Sequence, residues 1–114
     1  MVEVEYNIQT TNYQTVYTNL SRLGNQIFKL LPMREENKDW IKPLETLVLE
    51  LLGMNYIFHE QEDYLALCCK LQGVLTKSDD IDFELFRRTI FECCGLVDEL
   101  KAIAQQMGGG ESHV

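Results

Sequence analysis

Apolar side chains recur along this chain at intervals of three and four residues, a spacing that only an α-helix turns into one continuous face. The first run is Tyr13, Val16, Leu20, Leu23, Ile27 and Leu30; the second is Trp40, Leu44, Leu47, Leu51, Met54 and Phe58. The last is Phe83, Phe86, Ile90, Cys93, Val97, Leu100 and Ala104. Each seam must be buried against another, so the pattern predicts an all-α fold. The first seam also keeps a seven-residue register over almost three heptads. That register favours nearly parallel or antiparallel neighbours, and hence a bundle.

Punctuation in the sequence sets the expected boundaries. Thr11 or Asn12 can cap the first helix and Pro32 is expected to stop it after Leu31, giving a helix over 11–31. A second is expected over 36–59, its seam beginning near Asp39 and Pro43 lying in the first turn, where a missing N–H costs little. Leu49, Leu52, Tyr56 and Ile57 widen its apolar face, which predicts a central element touched on more than one side. Leu65, Cys68 and Leu75 continue the same register, so residues 39–75 read either as one helix or as two. One helix would be about 55 Å long and would need a second copy of the chain to cover it. A break near His59–Asp63, followed by a helix over 62–76, buries every seam within one chain and is the favoured reading. The last helix is expected over 81–106, capped by Asp80 or Asp82.

The expected fold is therefore a compact bundle of three to four amphipathic helices in a single domain, 1–107. Gly108–Gly110 open a flexible tail over 108–114. At the other end, Val2, Val4 and Tyr6 alternate with Glu3 and Glu5 but have no second strand to pair with, which predicts an extended arm.

A chain of 114 residues with 46% apolar content can bury one core without disulfides or metals. Its net charge of −8 argues against direct binding to nucleic acid or an anionic membrane surface, both of which need clustered Lys and Arg. The acid is uneven: eight acidic residues fall between Glu35 and Asp63, against Lys38 and Lys42. No apolar run approaches the roughly 20 residues of a membrane span, and the first residues lack the pattern of a signal peptide. A cytoplasmic location is expected, with the four cysteines as reduced thiols.

Those cysteines form two adjacent pairs, Cys68-Cys69 and Cys93-Cys94. An antiparallel hairpin turning near Asp79 sets Cys68 level with Cys93, so the two are a candidate redox pair as well as ordinary core residues. Cys69 and Cys94 lie about 100° further round their helices, which argues against four thiolates on one zinc ion. His59, Glu62 and Asp63 read as a solvated helix end, since a four-helix dimetal site needs Glu-x-x-His on two helices. Glu45 and Glu50 are five apart, on different parts of the helix surface, so they do not stack as Mg²⁺ ligands. Asp80, Asp82 and Glu84 alternate like a calcium loop, but Leu85 stands where that loop needs Gly. Neither a phosphate-binding glycine loop nor a nucleophile elbow is present in the sequence. No catalytic residue, cofactor or metal is expected.

The functional expectation is a non-enzymatic protein–protein interaction module, acting as adaptor, assembly factor or inhibitor through an acidic surface. Its expected partner is a protein with a basic patch, with a homodimer as a further possibility. Candidate contact residues are the aromatic edge Tyr6, Tyr13 and Tyr17 and the acids Glu60, Glu62, Asp63, Asp79, Asp80, Asp82 and Glu84. An acidic nucleic-acid mimic is the alternative, and a small metal-dependent hydrolase the third reading.

Overall fold

The three seams, and a fourth that the sequence half conceals, close into a ring of antiparallel helices. The computed structural model describes residues 13–58 and 60–112. Its elements are α1 (Tyr13–Glu35), α2 (Ile41–Leu52), the single turn α3 (Asn55–Phe58), α4 (Glu62–Thr76) and α5 (Phe83–Ser112). Contacts run from α1 to α2, from α2 to α4, from α4 to α5 and from α5 back to α1, with α1 and α5 the most extensively packed pair. The direction of each helix follows from side-chain pairs. Tyr17 near the start of α1 meets Lys101 late in α5, while Arg34 at the end of α1 meets Phe83 and Phe86 at the start of α5. Lys70 and Glu92 pair across α4 and α5 at 3.0 Å, close to the register expected for that hairpin. The longest dimension, 49 Å, is set by α5, whose 30 residues rise about 45 Å.

The expected seams are the core. Val16, Leu20, Leu23, Ile27 and Leu30 on α1 are buried, as are Trp40, Leu44, Leu47, Leu51 and Phe58 along the second stretch. On α5 the buried row runs Phe86, Ile90, Cys93, Val97, Leu100 and Ala104. No polar or charged residue is buried among the described residues. Gly24 lets α1 and α5 approach closely: a methyl group there would lie 3.2 Å from Cγ1 of Val97.

Several boundaries differ from expectation, each for a local reason. Pro32 does not stop α1, which runs on to Glu35. Pro32 is exposed and costs the helix the bond to Phe28, while Leu31 is buried and Met33 packs on the core, so burial carries the helix past it. The true stop is Asn37, at φ 60°, in the left-handed region that Asn tolerates. There Asn37 N–H donates to the Arg34 carbonyl and Lys38 N–H to the Met33 carbonyl, closing a Schellman motif. The next helix begins at Ile41, not 36, where the Asp39 carboxylate accepts from Ile41 and Lys42 N–H at 3.1 and 3.3 Å.

The 39–75 stretch is broken, and broken twice. α2 ends at Leu52, because Met54 N–H donates three residues back to Leu51 and tightens the path. α3 turns Phe58 fully into the core, and a second break precedes α4, whose observed span equals the expected 62–76. The breaks reset the rotation of the chain, so α4 buries Tyr64, Leu67, Cys68, Leu71 and Val74 and leaves Leu65 outside. Nor is this stretch central. In the ring each helix has two neighbours, α1 and α5 share the most extensive packing, and α2, with twelve residues, leaves Leu49 and Leu52 of the widened face exposed.

The last helix begins at Phe83 under the Asp82 carboxylate, which accepts from Glu84 and Leu85 N–H. It continues through Gly108–Gly110 to Ser112, beyond the expected end at 106, and no glycine takes a positive φ that would terminate it. The expected arm, with Tyr6, and the candidate His59 lie outside the described residues, as do the last two tail residues. Among the described residues no helix is long and apolar enough to cross a membrane.

Candidate interaction surface

The acids singled out in the sequence do not form one surface. Glu60 and Glu62 are exposed and Asp63 half-buried at the start of α4. Asp79 and Asp80 are exposed in the connector after α4, Asp82 caps α5, and Glu84 sits 3.9 Å from Arg87. The length of α4, 15 residues or about 22 Å, separates the two groups. Of the aromatic edge, Tyr13 packs against the core and Tyr17 is half-buried beneath Lys101, whose Nζ is 5.3 Å from the ring centroid. Neither tyrosine offers a fully open face.

All four cysteines are free thiols, with Cys68 and Cys93 buried, Cys94 half-buried and Cys69 exposed. Burial, reinforced by the neighbouring Cys94, pushes the Cys93 thiol up to about 12, although Lys70 pulls the other way. Burial also raises Cys68, against a lowering hydrogen bond with Tyr64. Both sulfurs are thus held in the protonated, unreactive form. No group of three or more His, Cys, Asp or Glu side chains among the described residues could hold a metal ion. The groove of about 350 Å³ between α1 and α2 has Glu50 and Lys29 in its lining, but Glu50 is already engaged by Arg22 at 2.8 Å.

Two features emerge that sequence reasoning missed. At one end of the bundle the Arg34 guanidinium lies 5.5, 5.5 and 4.8 Å from the ring centroids of Trp40, Phe83 and Phe86. Its Nη2 donates to the Ile81 carbonyl at 2.7 Å, tying α1 to the α4–α5 connector. Nη1 is buried without a hydrogen-bond partner and rests among the rings. Arg34 escaped notice because the helix was expected to end before it.

The second feature is an open apolar strip. Leu49, Leu52 and Tyr56 are 70%, 41% and 63% exposed, at spacings of three and four, and Leu65 on α4 is 48% exposed. The Tyr64 hydroxyl donates to the Leu51 carbonyl at 2.7 Å, which joins the start of α4 to the end of α2 directly beneath the strip. Leu52 and Leu65 are the chain neighbours of that bonded pair. Burial is the first cause that raises the Tyr64 hydroxyl above its ordinary value, so the donor stays protonated. Exposed Glu45 stands one turn before Leu49, and exposed Glu62 nearly one turn before Leu65. The signal for this strip is the widened face of the second helical stretch, a pattern that a face covered within the chain would share. A smaller exposed pair, Phe28 and Phe91 with centroids 6.0 Å apart, lies where α1 meets α5, and Arg87 covers part of it.

No protein-family model matches this chain, and no match was found among curated proteins or solved structures.

Proposed function

We propose that this protein acts by binding another protein, as an adaptor, assembly factor or inhibitor, and catalyses no reaction of its own. The observation that carries this reading is the open strip of Leu49, Leu52, Tyr56 and Leu65. Single exposed apolar residues are ordinary on any protein, but a row at helical spacing, continued on the neighbouring helix, costs solvation and gains nothing for the fold. Binding needs only such a shaped surface, and tyrosine and other large side chains are frequent anchors in interfaces. The net charge of −8 favours a partner with a basic patch and speeds the encounter with it. A nucleic-acid mimic would need carboxylates along one continuous track, whereas Glu60–Asp63 and Asp79–Glu84 stand at opposite ends of α4.

The test is capture from the native host with tagged full-length protein, run beside the variant Leu49→Ser/Tyr56→Ser. A protein retained by the parent and lost with the variant, while the variant keeps its helical circular dichroism spectrum, is the expected result. Equal retention by both proteins, or none above a control, would overturn the reading.

A further inference from the structure

We infer that the α2–α4 strip is a docking site for an amphipathic helix with basic flanks, carried by a partner protein. This rests on the protein-binding reading and gives it a partner class. Leu49 and Leu52 lie one turn apart at the end of α2, and Tyr56 follows on α3 after the tightened turn at Gly53–Met54, so the exposed apolar surface spans both elements. Leu65 broadens that surface from the neighbouring element, so a partner helix can set its own row of apolar side chains between the two. An extended peptide gains less here. Strand addition needs a sheet edge, and the strip lies on α2, α3 and α4, which present none.

Charge selects the flanks of the partner. Glu45 and Glu62 border the strip, both exposed, and neither is paired with a Lys or Arg among the described residues, in contrast to Glu50 with Arg22 and Glu92 with Lys70. A second copy of this chain would bring the same carboxylates, and a second charge of −8, against them. A helix with Lys or Arg beside its apolar row meets both requirements at once.

The experiment titrates isotope-labelled full-length protein with three synthetic peptides of about 18 residues, enough for five helical turns. One has leucines at i, i+3 and i+7 flanked by lysines. The second replaces the lysines with glutamates, and the third keeps the lysines but replaces the leucines with serines. The first peptide is expected to shift amide resonances of α2, α3 and the start of α4, and the other two to bind at least tenfold more weakly. Leu49→Ser/Tyr56→Ser should weaken the first peptide at least tenfold. Glu45→Gln/Glu62→Gln, or a rise in salt from about 50 to about 500 mM, should weaken it severalfold. Shifts centred elsewhere, equal binding of the serine peptide, or indifference to Leu49→Ser/Tyr56→Ser would overturn the inference. So would a concentration-dependent dimer that perturbs the same amides without peptide, since the occupant would then be a second copy. Should the peptides fail while host capture still yields a protein lost with Leu49→Ser/Tyr56→Ser, the helix inference falls and the protein-binding reading stands. Failure of both experiments removes both.

Discussion

The two ends of the second helical stretch, residues 40–58, use large apolar side chains in opposite ways. At its start Trp40 packs on Phe86, with centroids 4.8 Å apart, and Arg34 fills the remaining space with a guanidinium bonded to Ile81. Toward its end Leu49, Leu52 and Tyr56 are exposed, with none of the described residues covering them. Composition does not separate the two regions, since both are rich in apolar and aromatic residues. What separates them is the number of elements that converge. Trp40 lies where α1, α2 and α5 meet, while the strip lies on the outer side of the contact between α2 and α4. Closure at one end therefore supplies stability, and openness at the other leaves apolar surface exposed to solvent.

Substitutions at the closed end should break the comparison most sharply. Phe86→Ala removes a fully buried ring at the meeting point of three helices and should cost about 3–5 kcal/mol in urea unfolding. Arg34→Met keeps the length of the side chain but leaves the Ile81 carbonyl without its donor, at a cost of about 2 kcal/mol. Arg34→Lys should recover little, because an ammonium cannot stack its plane on three rings. Beneath the strip, Tyr64→Phe loses the hydroxyl bond to Leu51 and should cost about 1 kcal/mol, while the core ring stays in place.

The buried thiols sharpen the same contrast through pH. Cys93 titrates near 9 when unfolded and is pushed up to about 12 when folded. Below pH 9 both states hold the proton and the contribution is intact; as pH rises toward 12 the unfolded state loses its proton first, so stability falls. Urea midpoints measured from pH 8 upward should decline over that window, and less steeply in Cys93→Ala. A thiol reagent applied to native protein should label exposed Cys69 quickly and Cys68 and Cys93 slowly.

Periodicity made most of the fold legible. All three seams face the core, with Tyr13, Met54 and Phe83 only partly buried, and the span of α4 needed no revision, because a three–four repeat has one physical solution. The errors arose where a local signal competed with burial. Pro32 reads as a stop, yet losing one hydrogen bond matters less than packing Met33 on the core and Arg34 among the rings. Register read across 52–62 failed at Leu65 because the path tightens at Met54 and the backbone is extended at Gln61, so the rotation of α4 is not continuous with that of α2. The widened face of α2 was visible as a pattern, but a single sequence cannot distinguish a face covered by its own chain from one left for another. Charge misled in a similar way: Glu60–Asp63 and Asp79–Glu84 look like one acidic surface along the chain, and the length of α4 divides them.

The central claim is that the strip is surplus to folding. Equilibrium urea unfolding of Leu49→Ser/Tyr56→Ser beside the parent tests it directly. The two free energies of unfolding should lie within about 0.5 kcal/mol of each other, as for surface positions away from any packed contact. A loss of about 2 kcal/mol or more would show instead that the strip is covered within the chain and belongs to the fold.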